Sequence, residues 1–128
     1  MIGLDTNVLI RYILRDDEVQ AQQAKTIIEN SSAILISLLT LQECEWVLRS
    51  VAKRSKLEII GLFKALLETY NVTIQAEEVL EEALLMFENS KADFSDCLMT
   101  AQYLQLGCQH MATFDEKAAK ITGVLLIM

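Results

Sequence analysis

The chain has 128 residues, which is enough for a single domain with a sizeable hydrophobic core. Apolar residues make up 52% of it, yet no uninterrupted apolar stretch approaches the ~18 residues that a membrane span requires, so we expect no membrane association. The formal net charge of −7 disfavours a broad nucleic-acid-binding surface, which is usually basic. It suits a cluster of carboxylates that a metal ion neutralises.

The N-terminus and the cysteines predict the compartment. The apolar start of the chain has no basic leader before it and is soon followed by polar residues, so we expect a cytoplasmic protein without a signal peptide. Cys44, Cys97 and Cys108 lack the spacing of a metal site and lie among apolar residues. We expect all three to be reduced, buried packing residues.

The first predicted element is a short buried strand that ends at Asp5, and a helix is predicted to begin near Asn7. Asp16 and Asp17 interrupt the apolar periodicity of that helix, and a second helix is predicted over 18–30. In open α/β sheets, ligands bind outside the carboxyl ends of the strands. Asp5 is therefore placed where chemistry is expected.

The rest of the chain alternates between strands and helices, without proline or a long linker. This alternation predicts an α/β fold, with a mostly parallel central sheet covered by helices on both faces in a three-layer α/β/α sandwich over 1–128. Positions predicted to face inward include Ile27, Cys44 and Val51. The predicted strands are 33–37, 72–74, 109–113 and 124–127, and the predicted helices are 40–53, 55–69 with Ser55 as N-cap, 77–89, 93–106 and 116–121.

Glu43 is unusual within its predicted helix because it lies beside the apolar stripe, with Leu39 and Val47 four residues to either side. A carboxylate that faces a core is costly unless it is paired or bound to a metal ion. The alternative for Glu43 is a rim position with its carboxylate in solvent. Glu45 points elsewhere and is expected to form an ordinary ion pair with Arg49 at i, i+4.

Three further acids stand at helix starts. Asp93 and Asp96 are three residues apart, and the pattern resembles a capping box in which Asp93 is the better cap and Asp96 the better metal ligand. Asp115 follows the predicted strand that ends near Thr113, so it is placed like Asp5. Simple N-capping is the alternative for Asp115.

Together these acids predict a metal site, because the carboxyl ends of parallel strands share one edge of the sheet and Glu43 can reach it from its helix. Clustered carboxylates cannot all stay ionised without a compensating cation, and oxygen-only ligands favour Mg²⁺ or Mn²⁺ over zinc. Such a site activates water for phosphodiester hydrolysis. The predicted set comprises Asp5, Glu43, Asp96 and Asp115, with Thr6, Asn7 and Thr113 orienting the acids or a bound water.

Other catalytic systems are disfavoured. His110 is the only histidine and lies in a predicted strand, as a packed or edge residue, so a Ser–His or Cys–His pair is not expected. The four glycines are scattered and form no phosphate-binding loop.

Four sequence blocks resemble, in order, the motifs of the PIN-domain family and within it the VapC-type ribonuclease toxins of type II toxin–antitoxin systems. The resemblance extends over the whole chain, and the four main acids match without departure. The blocks are Asp5-Thr6-Asn7, Leu41-Gln42-Glu43-Cys44, the segment 92–101 that contains Asp93 and Asp96, and Ala112-Thr113-Phe114-Asp115.

The resemblance implies a PIN-like α/β/α domain with Mg²⁺- or Mn²⁺-dependent endoribonuclease activity. Asp5, Glu43, Asp96 and Asp115 match the family's acidic metal ligands, and Asp93 matches an auxiliary acid. The implied partners are an RNA substrate, a second copy of the chain in a homodimer, a cognate small antitoxin and, through the antitoxin only, operator DNA. Because the total charge is acidic, we expect basic side chains near the groove, Arg11, Arg15 and Lys91, to contact the RNA.

Two other functions compete with this one. A haloacid-dehalogenase-like phosphatase also begins with an Asp after the first strand, but it needs a second Asp where this chain has Asn7, and it needs a Lys and a larger cap region. A non-catalytic binding module of the same fold is the other alternative. Retention of the acids argues against it.

Overall fold

Two sets of parallel strands organise the computed structural model, which describes residues 1–15 and 18–128. The described residues group into two compact units, Met1–Gln75 and Ala76–Met128. Asp16 and Asp17, predicted to interrupt the first helix, lie outside the described residues. Nowhere in the described part of the chain is a helix both long enough and apolar enough to cross a bilayer.

The first unit contains a three-stranded sheet in the order β1-β2-β3, and both strand pairs are parallel. Ile34 of the central strand is paired with Ile2 on one side and with Val72 on the other. In chain order the elements are β1 (Ile2–Gly3), α1 (Thr6–Leu14), α2 (Glu18–Asn30), β2 (Ile34–Ile36), α3 (Leu38–Ser50), α4 (Lys56–Leu67) and β3 (Val72–Ile74).

Burial in the first unit follows position in the sheet. Ile34 and Ile36 of the central strand are fully buried, whereas Ile2 of the edge strand β1 is 42% exposed. The prediction of a buried first strand is therefore wrong, because an edge strand has a neighbour on one side only. Ile27 of α2 and Val51, just past α3, are also exposed rather than inward-facing.

Side-chain caps set the starts of α3 and α4. The Ser37 hydroxyl accepts a hydrogen bond from the Thr40 backbone N–H at 3.1 Å, so α3 begins two residues before its predicted start. Ser55 caps α4 as predicted. Its hydroxyl accepts from the Glu58 N–H at 3.2 Å, and the Glu58 carboxylate accepts from the Ser55 N–H at 3.3 Å, which completes a capping box.

The second unit pairs β4 and β5 in parallel, with Met111 opposite Val124. The helices α5 and α6 contribute buried faces that include an edge-to-face contact between Phe87 and Phe94, whose ring centroids are 5.5 Å apart. Its elements are α5 (Glu77–Glu88), α6 (Phe94–Gln105), β4 (Met111–Thr113), a single 3-10 turn (Ala118–Lys120) and β5 (Val124–Leu126).

The predicted α/β class with parallel strands is confirmed, and the single domain over 1–128 stays a prediction. Two local predictions in the second unit are wrong. His110 precedes β4 and is exposed instead of lying in the strand. Cys44 and Cys97 are buried thiols outside any disulfide, as expected, but Cys108 is exposed, since it follows Gly107, whose positive φ of 102° turns the chain out of α6.

Candidate functional site

Asp5 occupies the junction between β1 and α1. It is the N-cap of α1, with extended backbone angles, and its Oδ1 accepts a hydrogen bond from the Val8 N–H at 3.0 Å. This bond fixes the carboxylate at the carboxyl end of β1 while the side chain stays exposed. The predicted position of Asp5 is confirmed, with the helix beginning one residue before Asn7.

A hydrogen bond from α1 holds the carboxylate of Glu43 in place. Its Oε2 accepts a hydrogen bond of 2.6 Å from the hydroxyl of Thr6, the first residue of α1. That length is typical of a hydroxyl that donates to a charged carboxylate. The neighbouring Cys44 thiol lies 3.9 Å from the Thr6 carbonyl oxygen, so two consecutive residues of α3 contact the start of α1.

The pKa of the Cys44 thiol shows that Asp5 and Glu43 both lie near this buried group. Burial raises the pKa of the Cys44 thiol to about 12, and the negative charges of Glu43 and then Asp5 add to this effect. Both carboxylates therefore act on the same buried group, and the first unit brings them together. The thiol stays protonated at neutral pH, so Cys44 is unsuited to be a nucleophile.

Glu45 was missed as a buried charge. It is 3% exposed, and Arg49 donates to its two carboxylate oxygens at 2.9 and 3.4 Å, whereas Glu43 is exposed. The predicted ion pair with Arg49 is confirmed. Glu43 has the exposed rim position that was its alternative, and Glu45 instead of Glu43 faces the core. Leu41 and Leu48, at i−4 and i+3 from Glu45, carry the helical spacing that indicates its buried face.

Asp93 stands at the N-cap position of α6, with extended backbone angles. Within the described chain its side chain makes no capping hydrogen bond, so the capping role predicted for its carboxylate is wrong. The side chain is exposed. The carboxylate of Asp93 is therefore not used to cap α6.

Asp96 lies one turn further along α6 and is half-buried. Burial raises the pKa of its carboxyl, and the negative charges of Asp115 and Asp93 raise it further. The Thr100 hydroxyl donates to the Asp96 carbonyl oxygen at 2.7 Å and contacts the Met111 sulfur at 3.6 Å, which ties this turn of α6 to β4. The second unit therefore brings three acids into electrostatic contact.

Asp115 follows β4 and is held by backbone groups. Its Oδ1 accepts hydrogen bonds from the N–H groups of Lys117 at 2.7 Å and Ala118 at 3.0 Å, and its own N–H donates to the Thr113 hydroxyl at 3.0 Å. These bonds hold the carboxylate against the segment that leads into the 3-10 turn, although the N-cap residue of that turn is Lys117. Thr113 orients the backbone at Asp115, as a supporting residue should.

The basic side chains predicted to contact RNA differ in their surroundings. Arg11 lines a cavity that Asp5 and Asn7 also line. The Arg15 guanidinium lies 5.5 Å from the Tyr12 ring centroid and donates to the Tyr12 carbonyl oxygen at 3.3 Å. Lys91 is exposed in the segment before α6. Arg11 therefore lines the same cavity as Asp5 in the first unit.

The donors suit a hard divalent cation, since every candidate ligand is a carboxylate or hydroxyl oxygen. In neither unit, taken over its described residues, do three or more Asp, Glu, His or Cys side chains form a group that could hold a metal ion. The first unit supplies Asp5 and Glu43, and the second supplies Asp93, Asp96 and Asp115. Convergence of the two sets on one ion stays a prediction.

Known proteins similar to this chain include members of one family and a solved structure. The model of the PIN domain family matches residues 2–124, a range that contains all five acids. The crystal structure of VapC20 from Mycobacterium tuberculosis, described as a Sarcin-Ricin loop cleaving toxin, is similar at a TM-score of 0.46 and 17% sequence identity, over 94% of each chain. No curated protein matches the chain.

Proposed function

This chain belongs to the PIN-domain family, and from that premise we propose that it is a divalent-metal-dependent endoribonuclease. The reaction is hydrolysis of an RNA phosphodiester, in which a water oxygen replaces one bridging oxygen at phosphorus. The family match carries the proposal, because it covers Asp5, Glu43, Asp93, Asp96 and Asp115 and favours a nuclease over a haloacid-dehalogenase-like phosphatase.

In the first unit, Asp5 and Glu43 are assigned as metal ligands. The Val8 N–H fixes the carboxylate of Asp5, and the Thr6 hydroxyl fixes that of Glu43. Carboxylates held in this way need little reorganisation when charge develops in the transition state. Thr6 is therefore a positioning residue, and Asn7 supports the same turn.

In the second unit, Asp96 and Asp115 are assigned as ligands, with Asp93 as an auxiliary. Repulsion among these acids raises the pKa of Asp96, and a divalent cation offsets this repulsion. When bound, Mg²⁺ or Mn²⁺ activates water and compensates the charge on the phosphoryl oxygens. Thr113 and the N–H groups of Lys117 and Ala118 keep Asp115 in a fixed rotamer.

The experiment is cleavage of end-labelled single-stranded RNA by the purified protein with Mg²⁺ or Mn²⁺. We expect EDTA to abolish cleavage, and Asp5→Asn or Asp96→Asn to lower the rate by about 100-fold or more, beyond the effect of losing an outer-shell partner. Glu81→Gln, on the exposed face of α5, is the matched control and should leave the rate unchanged. Cleavage that persists in EDTA would contradict metal dependence. Metal-independent RNA binding without cleavage would instead favour the binding module.

We also propose that the protein acts in the cytoplasm as the toxin of a VapBC-type pair, as the motif resemblance implies. The partners are a second copy of the chain and a cognate small antitoxin, which alone contacts operator DNA. Induced expression should arrest growth of a host cell, and co-expression of the small open reading frame beside the gene should restore it. Arrest that persists in Asp5→Asn would exclude RNA cleavage as its cause.

A further inference from the structure

A cavity of about 390 Å³ lies in the first unit, where the start of α1 meets α2. Asp5 and Asn7 stand on one side of it, and Gln23 and Ile27 of α2 stand on the other. The assigned ligand Asp5 is therefore part of its wall. A group bound in this cavity lies directly beside the reaction that the proposed function assigns to Asp5.

We propose that this cavity receives one unpaired nucleobase of the RNA, next to the phosphodiester that is cut, and that Gln23 and Asn7 select which base enters. The proposal rests on the proposed function and deepens it, because it assigns base selectivity to named residues of α1 and α2.

The size and the walls fit a planar heterocycle. The volume of about 390 Å³ stands at the small end of the range of ligand pockets, which suits a single base. Ile2 of β1 and Ile27 of α2, which are 42% and 51% exposed, both contribute apolar surface to the lining. A base that packs against them removes this surface from water, which gives a reason for the outward position of Ile27.

The polar groups fit the edge of a base. Asn7, Gln20 and Gln23 each carry an amide with both a donor and an acceptor, the pair of groups that recognises a base edge through two hydrogen bonds. Proteins that select RNA sequence generally do so by taking unstacked bases into such sites. Arg11 lines the same cavity and supplies a positive charge for the adjoining phosphate.

The test is the base preference of cleavage in a randomised single-stranded RNA pool, read by sequencing the product ends. The wild type should prefer one base at a single position beside the cut, and Gln23→Ala should reduce this preference about tenfold, as expected for the loss of a bidentate contact. The matched control is Gln22→Ala. Gln22 is the preceding residue of α2, contacts Thr26 at 3.4 Å and lines a different surface pocket, so its replacement should leave the preference unchanged.

A binding measurement tests the cavity without cleavage. In EDTA, fluorescence anisotropy compares a short RNA that carries the preferred base with the same RNA that is abasic at that position. The wild type and Gln22→Ala should bind the abasic RNA about tenfold more weakly, and Gln23→Ala should bind the two equally.

Three outcomes overturn the inference in distinguishable ways. If the wild type cuts RNA and Gln23→Ala keeps the same base preference, the inference is wrong and the proposed function stands. If the wild type binds the abasic RNA as tightly as the intact RNA, the cavity does not hold the base and the inference is wrong. If the wild type cuts no RNA in either metal, the proposed function fails and the nucleobase inference fails with it.

Discussion

The contact between Thr6 and Glu43 joins two helices through a single hydroxyl. Thr6 donates at 2.6 Å to a carboxylate that is otherwise exposed, so its effect is on the orientation of Glu43 more than on stability. Thr6 follows Asp5 directly, so one short segment caps a helix and positions an acid of another. This links the sequence Asp5-Thr6-Asn7 to the geometry of α3.

Replacing Thr6 with valine should separate positioning from folding. Thr6→Val keeps the shape of the side chain but removes the donor, so we expect RNA cleavage to fall by about 10-fold, as for the loss of an outer-shell partner. The melting temperature should change little. Thr73→Val, at an exposed position of β3, is the control and should leave both measurements unaltered. An unchanged cleavage rate in Thr6→Val would show that Glu43 does not need this bond.

The ion pair between the buried Glu45 and the half-exposed Arg49 should matter for stability. Arg49→Met removes the partner of a carboxylate that is 3% exposed, and we expect a loss of about 1–3 kcal/mol in the free energy of unfolding, measured with urea. Arg54→Met is the matched control. Its pair with Glu58 is about half exposed on both sides and has an N–O distance of 3.6 Å, so its loss should cost less than about 1 kcal/mol. Equal losses in the two variants would contradict the burial argument.

At the scale of elements, helix starts with a strong local signal were predictable. Ser55 with Glu58 three residues later fixes the start of α4, and Asp5 and Asp115 after short apolar runs fix two strand ends. These features depend on neighbours in the sequence, so local chemistry is sufficient to find them.

The rotation of a helix about its axis was less predictable. Glu45 instead of Glu43 faces the core, and Ile27 points outward, because these outcomes depend on which surface packs against the helix. The exposed edge of β1 has the same cause, since position within a sheet is a property of the whole unit. The positions of the candidate acids could therefore be predicted, but the contacts that hold them could not.

The capping box of α4 gives a pH-dependent prediction. Hydrogen bonds to Ser55 lower the pKa of Glu58 from its ordinary value of 4.5, with Arg54 adding to the effect. Because the folded-state pKa is lowered, the stabilisation is present above pH 4.5 and is lost as the pH falls through the lowered value. Glu58→Gln should thus be less stable than the wild type at neutral pH, and urea unfolding should show this difference shrinking in acid.

The variant Ser55→Ala removes the N-cap hydroxyl of α4 and keeps the charge of Glu58. It should lower the free energy of unfolding by about 1 kcal/mol at neutral pH, the usual effect of losing an N-cap hydroxyl. In this variant the pKa of Glu58 should rise only part of the way to its ordinary value, because the backbone N–H of residue 55 still donates to the carboxylate. NMR titration of the side chain measures this change. A Glu58 pKa that does not change without the Ser55 hydroxyl would assign the shift to the backbone N–H and to Arg54 instead.

At the scale of the whole molecule, the net charge of −7 opposes RNA binding. Few phosphate contacts are therefore expected, and they must be local. Arg11 lines the cavity beside Asp5, and Lys91 is exposed two residues before Asp93. In each unit, therefore, a basic side chain lies close in sequence to the candidate acids of that unit.

These two cations should set the salt dependence of RNA binding. Arg11→Glu and Lys91→Glu should each weaken binding and lower the slope of log affinity against log salt by about 0.7, the value for one phosphate contact on a single strand. Anisotropy titrations at several salt concentrations measure this slope. Lys64→Glu, on exposed surface of α4, is the control and should alter the slope less. Equal slopes in all variants would show that neither Arg11 nor Lys91 contacts the RNA.

The outward position of Cys108 makes the native protein selectively labelable. A maleimide dye should conjugate to this thiol alone, since Cys44 and Cys97 are buried and burial keeps the Cys44 thiol protonated. Intact mass spectrometry should then find one adduct on the native chain and three after denaturation. No cysteine needs to be introduced or removed to attach a fluorophore, so association with RNA or a partner can be followed on the unmutated molecule.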